Sequence, residues 1–270
     1  MMSWAKTQDL WSRITAVACL AWFWVVLLPT TSVHAAEVRV MTLGDSIVTG
    51  GDGNFRTPLK AFLAADGYAI EYIGIGRDAD GNRHEGHGGW TPEMVRLVLG
   101  TTYTADVYVV YAGLNGLTDA SLKPVSDGVG THVLAMRAVL DAIYSHMPTA
   151  RVVLARIGLV RDVDSPVNPR IIEYNRQLSL MVRAYGHADR LWLADAQNIF
   201  HHDPANYVDG VHPSQKGFDI LAAALHPAVL HAAQSAVPRA FITVRRLAWG
   251  LAVLAFGGAA GVLWRRWRRG

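Results

Sequence analysis

V-R-V-M-T-L-G-D-S-I-V-T-G, residues 38–50, is the stretch on which the fold turns. Apolar residues at 38, 40, 41 and 43 run straight into Gly44-Asp45-Ser46, and a polar, glycine-rich loop follows. A short apolar run of this kind reads as a strand buried in a sheet. It delivers one hydroxyl to the C-terminal edge, where open α/β sheets bind their ligands. A serine there becomes a candidate nucleophile only if a base and an orienting acid join it.

Outward from this stretch, strand-like and helix-like segments alternate. Residues 69–75, 105–111, 151–157 and 191–194 read as further strands, and the run A-D-V-Y-V-V-Y at 105–111 is nearly continuous in apolar residues. Helical spacing of apolar residues covers 54–65 and 131–147, and further helices are expected over 169–185 and 214–230. Thr91-Pro92-Glu93 gives a helix start, with a capping hydroxyl and proline at the first position, for a helix to about 99. Residues 76–89 read as a long polar loop. Five strands separated by helices imply βαβ units, hence an α/β fold with a parallel sheet covered on both faces.

The two ends belong to something else. Lys6 and Arg13 precede an apolar run at 14–28, and Val33-His34-Ala35 supplies small residues for cleavage, so 1–35 reads as an export signal. Fifteen apolar residues are short for the alternative, an uncleaved spanning helix. Residues 247–264 carry no charge across eighteen positions and are bracketed by arginine clusters. They read as a transmembrane helix after a linker at 231–246, with the basic tail 265–270 in the cytoplasm. A sorting tail removed after export is the competing reading. Either way the domain at 36–230 faces the extracytoplasmic side.

Charge follows the same division. The chain carries +3; the first 35 residues contribute +1 and residues 241–270 contribute +6, leaving the middle at −4. Nucleic acid is therefore not an expected partner. The single cysteine, Cys19, lies in the export signal, so the mature domain has no disulfide, thiolate metal site or cysteine nucleophile. His84, His87, His201, His202 and Asp203 stand in loops without fixed ligand geometry. No metal or other cofactor is expected.

Four polar stretches follow strand ends: Gly44-Asp45-Ser46, Glu85 to Trp90, Tyr111 to Gly116, and Asp209 to Ser214. Asp209 and His212 are the most informative. Three residues apart across a glycine turn, the carboxylate can fix the imidazole tautomer, leaving the other ring nitrogen to take the proton of Ser46. Asn115 and the amides of Ser46 and Gly86 are candidate donors to the developing oxyanion. Asp45 is expected to cap the turn, and His87 and Trp90 to line the substrate cleft.

G-D-S-I-V-T-G, the turn at Gly86, G-L-N-G and D-G-V-H-P together resemble the SGNH (GDSL-type) hydrolases over about 38–225. H-E-G-H-G-G-W-T resembles their acetylxylan-esterase-like branch. The resemblance implies a flavodoxin-like, three-layer α/β/α fold and metal-free ester hydrolysis by Ser46, His212 and Asp209. It also implies an oxyanion hole of Ser46, Gly86 and Asn115. Two positions depart from the pattern: Gly116 replaces the usual aspartate, and Gly88 a frequent serine.

The expected activity is removal of acetyl groups from carbohydrate by a membrane-tethered serine esterase. Hydrolysis of lipid or other acyl esters, and acyl transfer to a sugar hydroxyl, use the same triad and stay open. So does a catalytically silent polysaccharide-binding module. Oligomeric state is not legible.

Overall fold

The computed structural model describes residues 37–99, 104–118, 125–187 and 189–236. The export-signal segment 1–35, the apolar segment 247–264 and the tail 265–270 lie outside the described residues. Among those described, no helix is long and apolar enough to cross a membrane.

Seven strands are present among the described residues: β1 (Glu37–Gly44), β2 (Ala69–Ile73), β3 (Gly76–Arg77), β4 (Arg83–Gly86), β5 (Val107–Tyr111), β6 (Arg151–Ala155) and β7 (Leu191–Ala194). The helices are α1 (Ser46–Thr49), α2 (Arg56–Ala65), α3 (Pro92–Val95), α4 (Leu114–Leu117), α5 (Val125–His146), α6 (Asn168–Ala184) and α7 (Gln215–Ala236). Short 3-10 turns cover Arg96–Val98 and Pro204–Asn206.

Five of the strands pair in parallel in the order β2-β1-β5-β6-β7. The chain goes to one side of β1 to form β2 and then to the other to form β5. That reversal opens a crevice at the C-terminal end of β1. Every residue of β5 is buried, as both-face coverage requires. α7 packs against β5, β6 and β7 and against α2, while α5 packs against α6. One contiguous apolar core joins these elements.

The loop expected over 76–89 holds the main departure. β2 follows β1 only as far as Met41, paired with Ile73, and β4 takes over the same edge, pairing Leu43 with Glu85 and Gly44 with Gly86. β3 returns antiparallel to β4. The sequence R-H-E-G has no apolar alternation, yet His84 and Glu85 are buried, and backbone pairing alone makes it a strand. Other differences are at ends. Helix α5 starts at Val125, and α7 runs on to Ala236, through Pro227 and the first residues of the expected linker. Thr91 does cap α3, but its hydroxyl makes no capping hydrogen bond.

Arg56 anchors the turn that carries the serine. Its side chain is fully buried, its Nε donates to Asp78 Oδ2 at 2.8 Å, and its two terminal nitrogens donate to the carbonyls of Val48 and Thr49. The guanidinium thus satisfies carbonyls at the end of α1 that have no helical partner.

Candidate active site

β1 ends where its backbone meets β5. A Cβ on Gly44 would lie 1.9 Å from the Tyr111 carbonyl oxygen, so only glycine allows the approach. Asp45 then caps α1: its Oδ1 accepts the Ile47 N–H at 3.0 Å, and its carbonyl accepts those of Val48 and Thr49. The amides of Ile47, Val48 and Thr49 are thereby taken, and Ser46 stands as the first residue of α1 at the C-terminal edge of β1.

The second half arrives on the loop before α7. Val208 N–H donates to the His212 carbonyl at 2.9 Å, closing a tight turn. Inside it Asp209 Oδ1 accepts the amides of Val211 at 2.6 Å and His212 at 2.7 Å. Its Oδ2 lies 2.8 Å from His212 Nδ1. On the far side of the ring, Nε2 lies 3.0 Å from Ser46 Oγ. Residues 166 positions apart are thereby joined in one hydrogen-bonded row. Ser214 fixes the exit of this loop, its Oγ accepting the Gly217 N–H at 3.3 Å as the cap of α7.

The row is open to solvent, with 45% of the His212 side chain and 54% of the Asp209 side chain exposed. What burial Asp209 has pushes its carboxyl up, but the hydrogen bonds from the His212 ring and from the His212 and Val211 amides prevail and hold it at about 2. It is ionised throughout the neutral range. Asp45 behaves oppositely. Only 1% exposed, its carboxyl is pushed by burial from 3.8 to about 7, against the pull of the Ile47 amide.

A raised carboxyl favours the protonated form in the folded state. That contribution is complete below pH 3.8 and is lost as pH rises toward 7, because the unfolded chain gives up the proton first. The protein is therefore expected to lose stability between pH 4 and 7, by on the order of a few kcal/mol from this group. Asp45→Asn keeps an acceptor for the Ile47 amide and should flatten that slope. Urea unfolding of both proteins at pH 4, 5.5 and 7 measures it, and parallel curves would show that burial of Asp45 is not the source.

A cleft of about 310 Å³ opens beside the serine. Ser46, Gly50, Gly51 and Gly88 stand on its wall with Val208, His212 and Phe218. His87 and Trp90, expected there, are not among its lining residues; Gly88 between them is. The two rings instead stack on each other, with centroids 3.9 Å apart, and His87 Nε2 lies 3.1 Å from Glu85 Oε2.

The Gly86 amide, an expected oxyanion donor, donates in this structure to Nδ1 of His84 at 3.0 Å. Burial, aided by the nearby Arg56 charge, lowers the His84 imidazole to about 4, so the ring is a neutral acceptor for that amide. Asn115 lies past the end of β5, its Nδ2 donating to the Trp90 carbonyl at 3.1 Å. One of its two amide hydrogens is thus committed. Neither the His84 partner nor the role of Asp45 as a buried carboxyl could be read from spacing, because both depend on what packs around them. Among the described residues, no three His, Cys, Asp or Glu side chains group as a metal site.

A hydroxyl–imidazole–carboxylate row at the switch point of a parallel sheet is the arrangement of α/β serine hydrolases. Within that class the assignment is specific: the chain belongs to the GDSL-like lipase/acylhydrolase family, whose model matches residues 42–220. It is a serine ester hydrolase of the SGNH type. Solved structures agree in fold. An acetyl esterase mutant crystallised with an acetate ion superposes with a TM-score of 0.63 at 20% identity, covering 74% of this chain and 100% of that one. A carbohydrate esterase family 3 structure from Talaromyces cellulolyticus gives 0.60 at 20% identity, over 73% and 98%. The Clostridium thermocellum family 3 carbohydrate esterase gives 0.59 at 22%, again over 73% and 98%. No curated protein sequence matches the chain.

Proposed function

We propose that this chain is an exported, membrane-tethered esterase that removes acetyl groups from carbohydrate. The single observation that carries the chemistry is the row Asp209–His212–Ser46, with contacts of 2.8 and 3.0 Å, opening on the small cleft. Ser46 Oγ attacks the ester carbonyl as His212 Nε2 takes its proton, and the imidazolium is stabilised by ionised Asp209. The imidazolium then protonates the leaving sugar oxygen. Water, activated by the same nitrogen, releases acetate. The Ser46 amide and the uncommitted Asn115 N–H hold the oxyanion, and the turn carrying Gly88, on the cleft wall, supplies a third donor.

Acetylated carbohydrate as substrate is supported by the H-E-G-H-G-G-W stretch and by the acetyl and carbohydrate esterases among the fold relatives. Export and tethering rest on the apolar segments at 14–28 and 247–264 and the arginines around the second. A second reading, hydrolysis of longer acyl esters near the membrane, is favoured by Phe218 in the cleft wall and by Val208, 57% exposed on its rim.

The two readings part on acyl length. The full chain in detergent micelles is assayed on 4-nitrophenyl acetate, butyrate and octanoate, and on acetylated xylan. For a deacetylase kcat/KM should fall by about tenfold or more from acetate to octanoate, with acetate released from the polymer. A flat or rising profile would replace the deacetylase with the lipid-ester reading.

A further inference from the structure

We propose that His132, on α5, is a positioning residue for Asn115. The inference rests on the oxyanion role proposed for Asn115 and deepens it.

Although α4 is helical at its ends, Asn115 has φ −66°, ψ 132° and Gly116 φ 91°, ψ −34°. These are the angles of a type II turn, which demands glycine at the second central position. In such a turn the central peptide is turned over relative to a type I turn. Here that peptide joins Asn115 to Gly116, and the Asn115 carbonyl meets His132 Nε2 at 3.1 Å. The imidazole also fills the space beside the turn: a Cβ on Gly116 would stand 2.2 Å from His132 Nε2 and 2.7 Å from its Cε1. Gly116 is therefore not an aspartate that was merely lost. The ring occupies the volume that any side chain would need.

A carbonyl oxygen only accepts, so the neutral ring carries its proton on Nε2 and leaves Nδ1 as an acceptor. His132 is 6% exposed, and Nδ1 finds no hydrogen-bond partner among the described residues. Burying an acceptor in that state is costly. A leucine or methionine would fill the site at less expense, so the value of the imidazole lies in its hydrogen bond to the turn. Asn115 is thus held twice, through its carbonyl by His132 and through Nδ2 by the Trp90 carbonyl. Releasing the first hold lets the 115–116 peptide rotate and carries the side-chain donor away from the oxyanion.

The test compares His132→Gln with His132→Met in the full chain. The two side chains match in length and helix preference, but only glutamine can donate to the Asn115 carbonyl. Methionine should lower kcat on 4-nitrophenyl acetate by about 10- to 100-fold, the scale of a misplaced group, with KM unchanged. Glutamine should stay near wild type. Equal kcat in both variants, or a change in KM alone, would overturn the proposal. If either variant is recovered unfolded, the ¹⁵N signals of His132 in the wild-type protein decide: protonation on Nε2 supports the inference, and protonation on Nδ1 removes it. Ser46→Ala is measured alongside. Activity surviving there would indict the hydrolase reading, whereas an inactive Ser46→Ala beside a fully active His132→Met would sink the positioning role alone.

Discussion

Ser46→Ala is expected to lower kcat for 4-nitrophenyl acetate by about ten-thousandfold to a millionfold, the range for loss of a nucleophile that works as part of a unit. The residual rate over water then comes from the oxyanion donors and binding. Stability should hardly change. The Ser46 hydroxyl makes its hydrogen bond to His212 Nε2, while the cap of α1 is supplied by Asp45 and the carbonyls at its end by Arg56. Removing one partly buried oxygen from such a frame leaves folding within about 0.5 kcal/mol. Two measurements check this: steady-state kinetics with burst analysis, and thermal melts of both proteins. A folded Ser46→Ala enzyme with activity within tenfold of wild type would exclude an acyl-enzyme on this residue.

The second large effect separates the imidazole from its carboxylate. His212→Ala removes the base that touches Ser46 and should cost nearly as much as losing the serine, because the two act together. Asp209→Asn should cost less, about a hundredfold to a thousandfold, below the roughly ten-thousandfold known for a buried triad aspartate. The reason is exposure. With 54% of its side chain in water, Asp209 stabilises the imidazolium through a more polar medium, where charge interactions are weaker. Asparagine is the informative replacement, since its oxygen can still accept the Val211 and His212 amides that shape the turn. The hydrogen bonds to Asp209 also give a pH expectation. With the carboxyl held at about 2, Asp209 is ionised throughout pH 5 to 8, so Asp209→Asn should lower kcat at every pH in that range. Wild-type kcat in the variant at any of those pH values would contradict this assignment.

The residues differ in how openly the chain displayed them. Asp209 and His212 were legible because their contact is local: three residues and one glycine bring the carboxylate to the ring whatever surrounds them. Ser46 was legible because a strand ending in Gly-Asp-Ser has only one place in an open sheet. The Gly86 amide is a donor by its position in a motif, and only the folded strand pair β3–β4 shows that His84 accepts from it here. His87 and Trp90 are expected to line the cleft and are not among its lining residues; their stacking depends on a turn that spacing does not describe.

By itself the sequence determined the alternation of strands and helices and singled out Ser46, Asp209 and His212, which the structure joins in one hydrogen-bonded row. It also carries the two terminal apolar segments from which export and anchoring are inferred. Each is written in periodicity, composition or short-range spacing. Tertiary structure alone decided that β4 takes over the edge of β1 where β2 leaves it, and that Asp45 sits dry enough to keep a proton near neutrality. It also decided that His132 fills the space beside Gly116. Those outcomes depend on desolvation and on hydrogen bonds between distant segments. Both are properties of what comes to lie next to a residue in space, and the order of residues along the chain does not encode them locally.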